Sequence, residues 1–327
     1  MSPVRRWQGQ HAIHLPGLLR ETIDPDRLTR TEGWVEGVLM EEDWEPVLDR
    51  GGVLARIADD FTWAATVYDD TDPQAIARLD FETRDGREVW MKASWLSLHE
   101  EDASLRFRFS HGLDRYEDVA ADLPRQLASN ALCERFFPES HWLTGNTALE
   151  GHLRALIEAP PLFVERIVYF NAPRGGAQFH QDVERGHEGV VYAQLSGETF
   201  WFALPKGELV GHLRDLLTTP EAADERRRLL GATDTRRLEA QAEDEATLHR
   251  LLDDPEEDAL HVFLNQSPSL ARRLVEAGAA FHLRPGDCLL LPQRDLQHCC
   301  WHSVFTVGEF IGQALSFAVR KGDLRSE

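Results

Sequence analysis

The sequence predicts a mainly β fold with helical additions: a small antiparallel barrel, interrupted by a helical segment and preceded by an accessory region. Three observations predict it. Apolar runs of strand length, bounded by turn residues, occur at 164–171, 288–291 and 309–320. Apolar residues alternate with polar ones at Ala77, Leu79 and Phe81, and again at Leu105, Phe107 and Phe109, the period of a half-buried strand. Residues 220–257 are instead rich in Glu, Asp, Arg, Ala and Leu with almost no β-branched types, which is helical composition.

The elements follow in order. Residues 1–60 carry Pro, Gly and charge among several Trp and Leu, as short wrapping helices and loops do. Asp85-Gly86 is a hairpin turn signal, with an apolar strand candidate at 89–98 after it. Thr147-Ala148-Leu149-Glu150 has the form of a capping box, and Leu149, Leu153, Leu156 and Ile157 then share one helical face. Pro160-Pro161 stops that helix. Residues 1–145 thus form an accessory region with extra strands and helices, and 146–327 the barrel, interrupted by a helical insertion at 207–280. Inside the insertion, Ser267-Pro268, then Leu270, Leu274 and Ala277, then Gly278, mark a short helix with start and stop. Composition so charge-rich builds no large core of its own, so the insertion is expected to pack on the barrel or to make a homodimer contact. After it, Pro285-Gly286-Asp287 is a turn, because Pro presets φ and Gly takes positive φ. The run 288–291 then reads as a buried strand.

The chemistry centres on His180-Gln181-Asp182, after the run 164–171 and the stretch Pro173-Arg174-Gly175-Gly176. On an extended chain, residues i and i+2 point to one face, so this imidazole and carboxylate can bind one metal ion together. A second histidine from a distant strand would complete a 2-His-1-carboxylate facial triad, the usual non-haem Fe(II) arrangement. His298 and His302 both follow the 288–291 strand. Gly175-Gly176 reads as a bulge or as backbone near a ligand; there is no phosphate-loop pattern around it.

Four motifs in order, His180-X-Asp182, the stretch 191–201, Pro285-Gly286-Asp287 through Pro292, and a histidine ahead of the last strand, resemble those of the JmjC/cupin-type Fe(II)- and 2-oxoglutarate-dependent oxygenases over roughly residues 164–320. The resemblance implies a double-stranded β-helix, a jelly-roll or cupin-like barrel of two facing four-stranded sheets. It also implies Fe(II) on His180, Asp182 and a distal histidine, with 2-oxoglutarate and O2 as co-substrates and hydroxylation of a substrate C–H bond. Spacing from the last strand in such proteins favours His302 over His298, with a small insertion at 293–299. One departure stands out. Many relatives place a Lys or Arg two residues after the Gln-X-X-Gly glycine to pair the distal carboxylate of 2-oxoglutarate, and here that position is Thr199, which brings no charge. Lys206, Arg166, Arg320 and Arg174 are candidate substitutes, with Tyr169 and Ser316 as candidate hydroxyl contributors. Trp201 and Phe202 are candidates to line or back the pocket.

Composition bounds the rest. A net charge of −21, from 35 basic and 56 acidic residues, disfavours a phosphate-backbone partner. It suits a basic peptide or protein substrate, or simply a solvated surface. The clusters Arg226-Arg227-Arg228 and Arg236-Arg237 read as contacts to an acidic partner or as solvated helix faces. Four cysteines make no disulfide framework, and reduced thiols point to a cytoplasmic location. The N-terminal residues lack the apolar core of a signal peptide, and no stretch approaches the ~18 apolar residues of a membrane span. Expected partners are a peptide, protein or small-molecule substrate and O2, with no nucleic acid and no membrane. Three other readings stay open: a cupin-like metal enzyme that does not use 2-oxoglutarate, a non-catalytic binding or scaffold protein, and a zinc hydrolase, which lacks a His-Glu-X-X-His base.

Overall fold

A computed structural model describes residues 1–39, 52–68, 74–99, 102–112, 122–184 and 186–322, with side chains described at all of these except 97–99, 102, 103 and 221. The barrel consists of eight strands: β6 (Pro161–Asn171), β7 (Gly176–His180), β8 (Gly189–Gln194), β9 (Glu198–Pro205), β10 (Ala280–Leu283), β11 (Cys288–Asp295), β12 (His298–Val307) and β13 (Gly312–Lys321). They divide antiparallel between two sheets. The larger runs β11-β8-β13-β6 and the smaller β10-β9-β12-β7, joined where β11 meets β12. This is a double-stranded β-helix. The larger sheet continues past β6 through β5 (Asp102–Ser110), β4 (Glu88–His99), β3 (Ala75–Thr83) and β2 (Phe61–Val67). A short β1 (Ile13–Leu15) covers its other edge beside β11.

Alternation along each strand sets what meets what. Tyr192, Trp201, Leu289, Ala314 and Ala318 point between the sheets. Phe107, Phe170, Val191, Leu315 and Phe317 point outward from the larger sheet and pack beneath the N-terminal helices. Phe179, Phe202, Leu204 and Trp301 point outward from the smaller sheet and meet the insertion. Asp287, buried in the Pro-Gly-Asp turn, fastens the N-terminal segment by accepting from the Gly17 backbone at 2.6 Å and contacting His14 Nε2 at 3.1 Å.

The insertion comprises helices Lys206–Thr218, Ala223–Gln241, Glu245–Leu252, Asp258–Gln266 and Pro268–Glu276. Its leucines share one apolar cluster with the barrel's smaller sheet, so it packs on the barrel rather than standing apart. Ser267 caps the last helix by accepting from Leu270 N, and Gly278 (φ 73°) follows it. At 147–150 the capping differs from expectation. Asn146 is the N-cap, accepting from Leu149 N at 2.9 Å, and Thr147 is already helical, which frees Glu150 to pair with Arg154. Residues 293–299 carry no loop. Both strands lengthen instead, with a register shift after Gln293, and Asp295 closes the turn by accepting from Gln297 N and His298 N.

Candidate metal centre

β7 lies against β12, and the register sets His180 directly opposite His302. That approach is close. A Cβ on Gly176 would lie 2.0 Å from the Val304 carbonyl oxygen, and Gly176 takes φ 154°, so only glycine fits here. Two residues past His180, Asp182 completes the group. Its Oδ2 is 3.3 Å from His302 Nε2 and its Oδ1 3.6 Å from His180 Nε2, and the two imidazole centroids are 4.3 Å apart. One ligand atom from each of the three lies within 4.8 Å of the others.

The chain also prepares the ligand atoms. His180 Nδ1 is 2.7 Å from the Gln178 carbonyl and His302 Nδ1 is 3.2 Å from the Cys300 carbonyl. A ring nitrogen facing a carbonyl must donate, so Nδ1 carries the proton and both Nε2 lone pairs are left to face Asp182. Trp201 stacks on His302 at 5.6 Å. Gln293, fully buried, accepts from Asp182 N at 3.4 Å and donates to the Cys300 carbonyl at 2.7 Å, tying together the segments that carry all three ligands. Burial, then the facing His302, hold His180 below the usual histidine range. Burial works against the Asp182 carboxylate, but a His302 carrying a proton on Nε2 supplies charge and a hydrogen bond that, with His180, outweigh it and keep the carboxyl well below the usual range; a metal would take the place of that proton. Two unprotonated imidazole nitrogens and an ionised carboxylate converging from one side, with open space on the other, fit a divalent first-row metal.

The open space is a cavity of about 470 Å3 between the sheets. Of the residues singled out in the sequence, His180, Asp182, His302, Tyr169, Ser316 and Trp201 line it. His298 lies apart, its side chain 60% exposed on the turn against Asp295. Phe202 faces the opposite way, stacked with Phe179 beneath the insertion.

None of the four basic candidates is among the lining residues. Lys206 is fully buried, 2.5 Å from Asp253 and 3.1 Å from the Leu296 carbonyl, because β9 has already turned into the insertion's first helix. Arg166 pairs with Glu134 at 2.6 Å and lies over the Phe317 ring, on the outer side of β6. Arg320 is buried near the far end of β13, where its charge acts on Glu184 and His187. Arg174 is exposed in the β6–β7 turn, with φ 64°. Thr199 is buried behind the cavity wall in a neutral network. It donates to Gln194 at 2.8 Å and accepts from Trp201 Nε1 at 3.0 Å, Tyr192 donates to the same Gln194 oxygen, and Asn171 donates to Tyr192.

The cations of the cavity come from the accessory strand β5: Arg106 and Arg108 line it, beside Ser104. Arg108 pairs with buried Glu165 at 3.1 Å. Glu165 is the extra residue at a bulge in β6, with φ 44°. Arg106 donates to Ser94 at 3.1 Å, stands beside the Tyr169 hydroxyl, and has no carboxylate partner among the described residues. A sequence signal for both existed. If Leu105, Phe107 and Phe109 face one side, Ser104, Arg106 and Arg108 must face the other.

No protein-family model matches the chain, and no curated protein does. Among solved structures it is similar to an oxidoreductase of the 2OG-Fe(II) oxygenase family from Burkholderia pseudomallei, at 10% identity and TM-score 0.34, over 98% of this chain and 90% of that one. It is also similar to YcfD, a ribosomal oxygenase from Escherichia coli, at 14% identity and TM-score 0.29, over 88% of this chain and 46% of that one.

Proposed function

We propose that this protein is an Fe(II)- and 2-oxoglutarate-dependent oxygenase that hydroxylates a peptide or protein side chain or a small natural product. The observation that carries the reading is the His180-Asp182-His302 group facing a cavity that also holds the Arg106 guanidinium, which has no carboxylate partner among the described residues. Bound to the triad, Fe(II) would supply O2 activation coupled to decarboxylation of 2-oxoglutarate to succinate and CO2. The chain's own residues do the rest. His180, Asp182 and His302 hold the metal on one side and leave the other open. Arg106, helped by the Tyr169 hydroxyl, receives the distal carboxylate of the co-substrate, the role that Thr199 cannot fill. Trp201 backs His302 and keeps water from that side of the ligand.

The test is anaerobic loading with Fe(II), then 2-oxoglutarate turnover read as succinate formed and O2 consumed. Arg106→Gln is expected to weaken 2-oxoglutarate binding by about 1.5–3 kcal/mol, the worth of a charge-assisted pair, with metal binding unchanged. Metal binding with no 2-oxoglutarate binding would instead favour a cupin-like metal enzyme that uses another substrate. The neutral Asn171-Tyr192-Gln194-Thr199 network is the observation that keeps that second reading.

A further inference from the structure

A second cavity, of about 320 Å3, lies on the other face of the larger sheet. The side is fixed by alternation. Ser316 and Arg106 face the metal cavity, whereas Gln313, Leu315 and Phe107, at odd positions of the same strands, face outward. Gln313 Nε2 donates to Glu139 Oε1 at 2.6 Å, and Phe107 stacks on Trp34 at 6.2 Å. Glu139 and Trp34 both line the second cavity, so a layer of packed sheet separates it from the metal centre.

Three arginines border it: Arg27 and Arg30 from helix Pro25–Leu39, and Arg56 from the short helix Val53–Ile57. Neither Arg27 nor Arg30 has a carboxylate within ion-pair reach among the described residues. Arg56 feels burial first, then repulsion from Arg27 and attraction to Glu139, so all three charged groups lie near one another. Arg27 and Arg30, with no carboxylate in ion-pair reach among the described residues, would gain from an arriving anion. The remaining wall suits a small organic molecule. Trp34 and Phe136 supply flat apolar surface. Glu139 is fully buried, its Oε2 has no hydrogen-bond partner, and burial raises its carboxyl above the usual range.

We propose that this second cavity binds a small organic anion, a flat apolar body carrying a phosphoryl or carboxylate group held by Arg27, Arg30 and Arg56. Titration calorimetry of the full chain at constant ionic strength, with phenyl phosphate, benzoate and inorganic phosphate as probes, tests it. At least one aromatic probe is expected to bind saturably at one site per chain and more tightly than inorganic phosphate. Comparing phenyl phosphate with benzoate tells which anionic group the site prefers. Arg27→Gln and Arg30→Gln should each weaken that binding by about tenfold or more, as loss of a charge-assisted contact does. Arg30 is exposed, so its variant tests binding without a burden on folding. Arg106→Gln should leave the same binding unchanged. Saturable binding by none of the probes, insensitivity to both Arg27→Gln and Arg30→Gln, or loss of binding in Arg106→Gln would each overturn the proposal, the last by moving the anion to the metal cavity.

Discussion

Asp182 is the residue on which the metal reading turns, because it contributes the one fixed negative charge in the ligand group and packs against no apolar cluster. Asp182→Ala is therefore expected to abolish tight Co(II) or Fe(II) binding with the far-UV circular dichroism unchanged. His302→Ala should do likewise. His298→Ala should leave metal affinity near the wild-type value, since among the described residues its imidazole pairs with Asp295, away from the ligand group. The reverse ranking of the two histidines would move the ligand assignment to His298. The four cysteines behave differently, and burial is the largest influence on their chemistry. Burial pushes the Cys133 and Cys299 thiols up to about 12 and those of Cys288 and Cys300 higher still. A free thiol gains reactivity as pH rises through about 8.5. In the folded protein, alkylation by iodoacetamide should stay slow through that range, with all four sites labelling once urea is added. The linked effect on stability has a definite sign. The folded state keeps these protons after the unfolded chain has lost them, so stability falls as pH rises above about 8.5.

At the scale of elements, one buried ion pair ties the start of the insertion's first helix to a later part of the insertion. The Lys206 ammonium is wholly shielded from solvent, and Asp253, on the segment after helix Glu245–Leu252, is its only acidic partner within ion-pair distance among the described residues. Asp253→Ala would strand a buried cation and is expected to cost about 3–5 kcal/mol, read from the urea midpoint. Lys206→Met combined with Asp253→Leu should recover most of that loss, because an apolar pair of similar volume has no charge to desolvate. How far the elements were legible depends on how local their causes are. The Pro-Gly-Asp turn, the buried run after it and the helical composition of the insertion are local properties, and the strands and helices stand where those properties put them. His180 and Asp182 were legible as a pair because i and i+2 share a face on any extended chain. Gln293 was not, since its value comes from lying across two segments that only register brings together. Lys206 drew attention as a free cation just past β9. Nothing local announces that the strand has become a helix there, or that Asp253 arrives from 47 residues away. Arg106 was half legible: its alternation was plain, but which face of β5 met the cavity is a fact of tertiary structure.

Across the whole molecule, three apolar clusters hold the sheets and helices together, and the ligand group is a small addition at the barrel's opening. Removing metal with a chelator should therefore leave a cooperatively folded protein, unlike a small zinc-dependent domain. Adding Co(II) to about one hundred times its Kd should raise unfolding stability by about 2.7 kcal/mol, and this gain should vanish in Asp182→Ala. The strand order has one more consequence, which concerns how such a chain comes into being. β13 lies between β6 and β8, pairing with both. On a ribosome, β6 and β8 emerge more than one hundred residues ahead of the strand that must slide between them. Until then each has an open edge, and the five insertion helices emerge in the interval. The helices, whose contacts are nearer in sequence, are placed to form early, while closure of the barrel waits on a distant pairing that carries a large loop-closure entropy. Nascent chains of this topology are thus exposed to edge-to-edge association for a long interval of their synthesis, and the order of the strands fixes when a chaperone would be most useful: before β13 has left the exit tunnel.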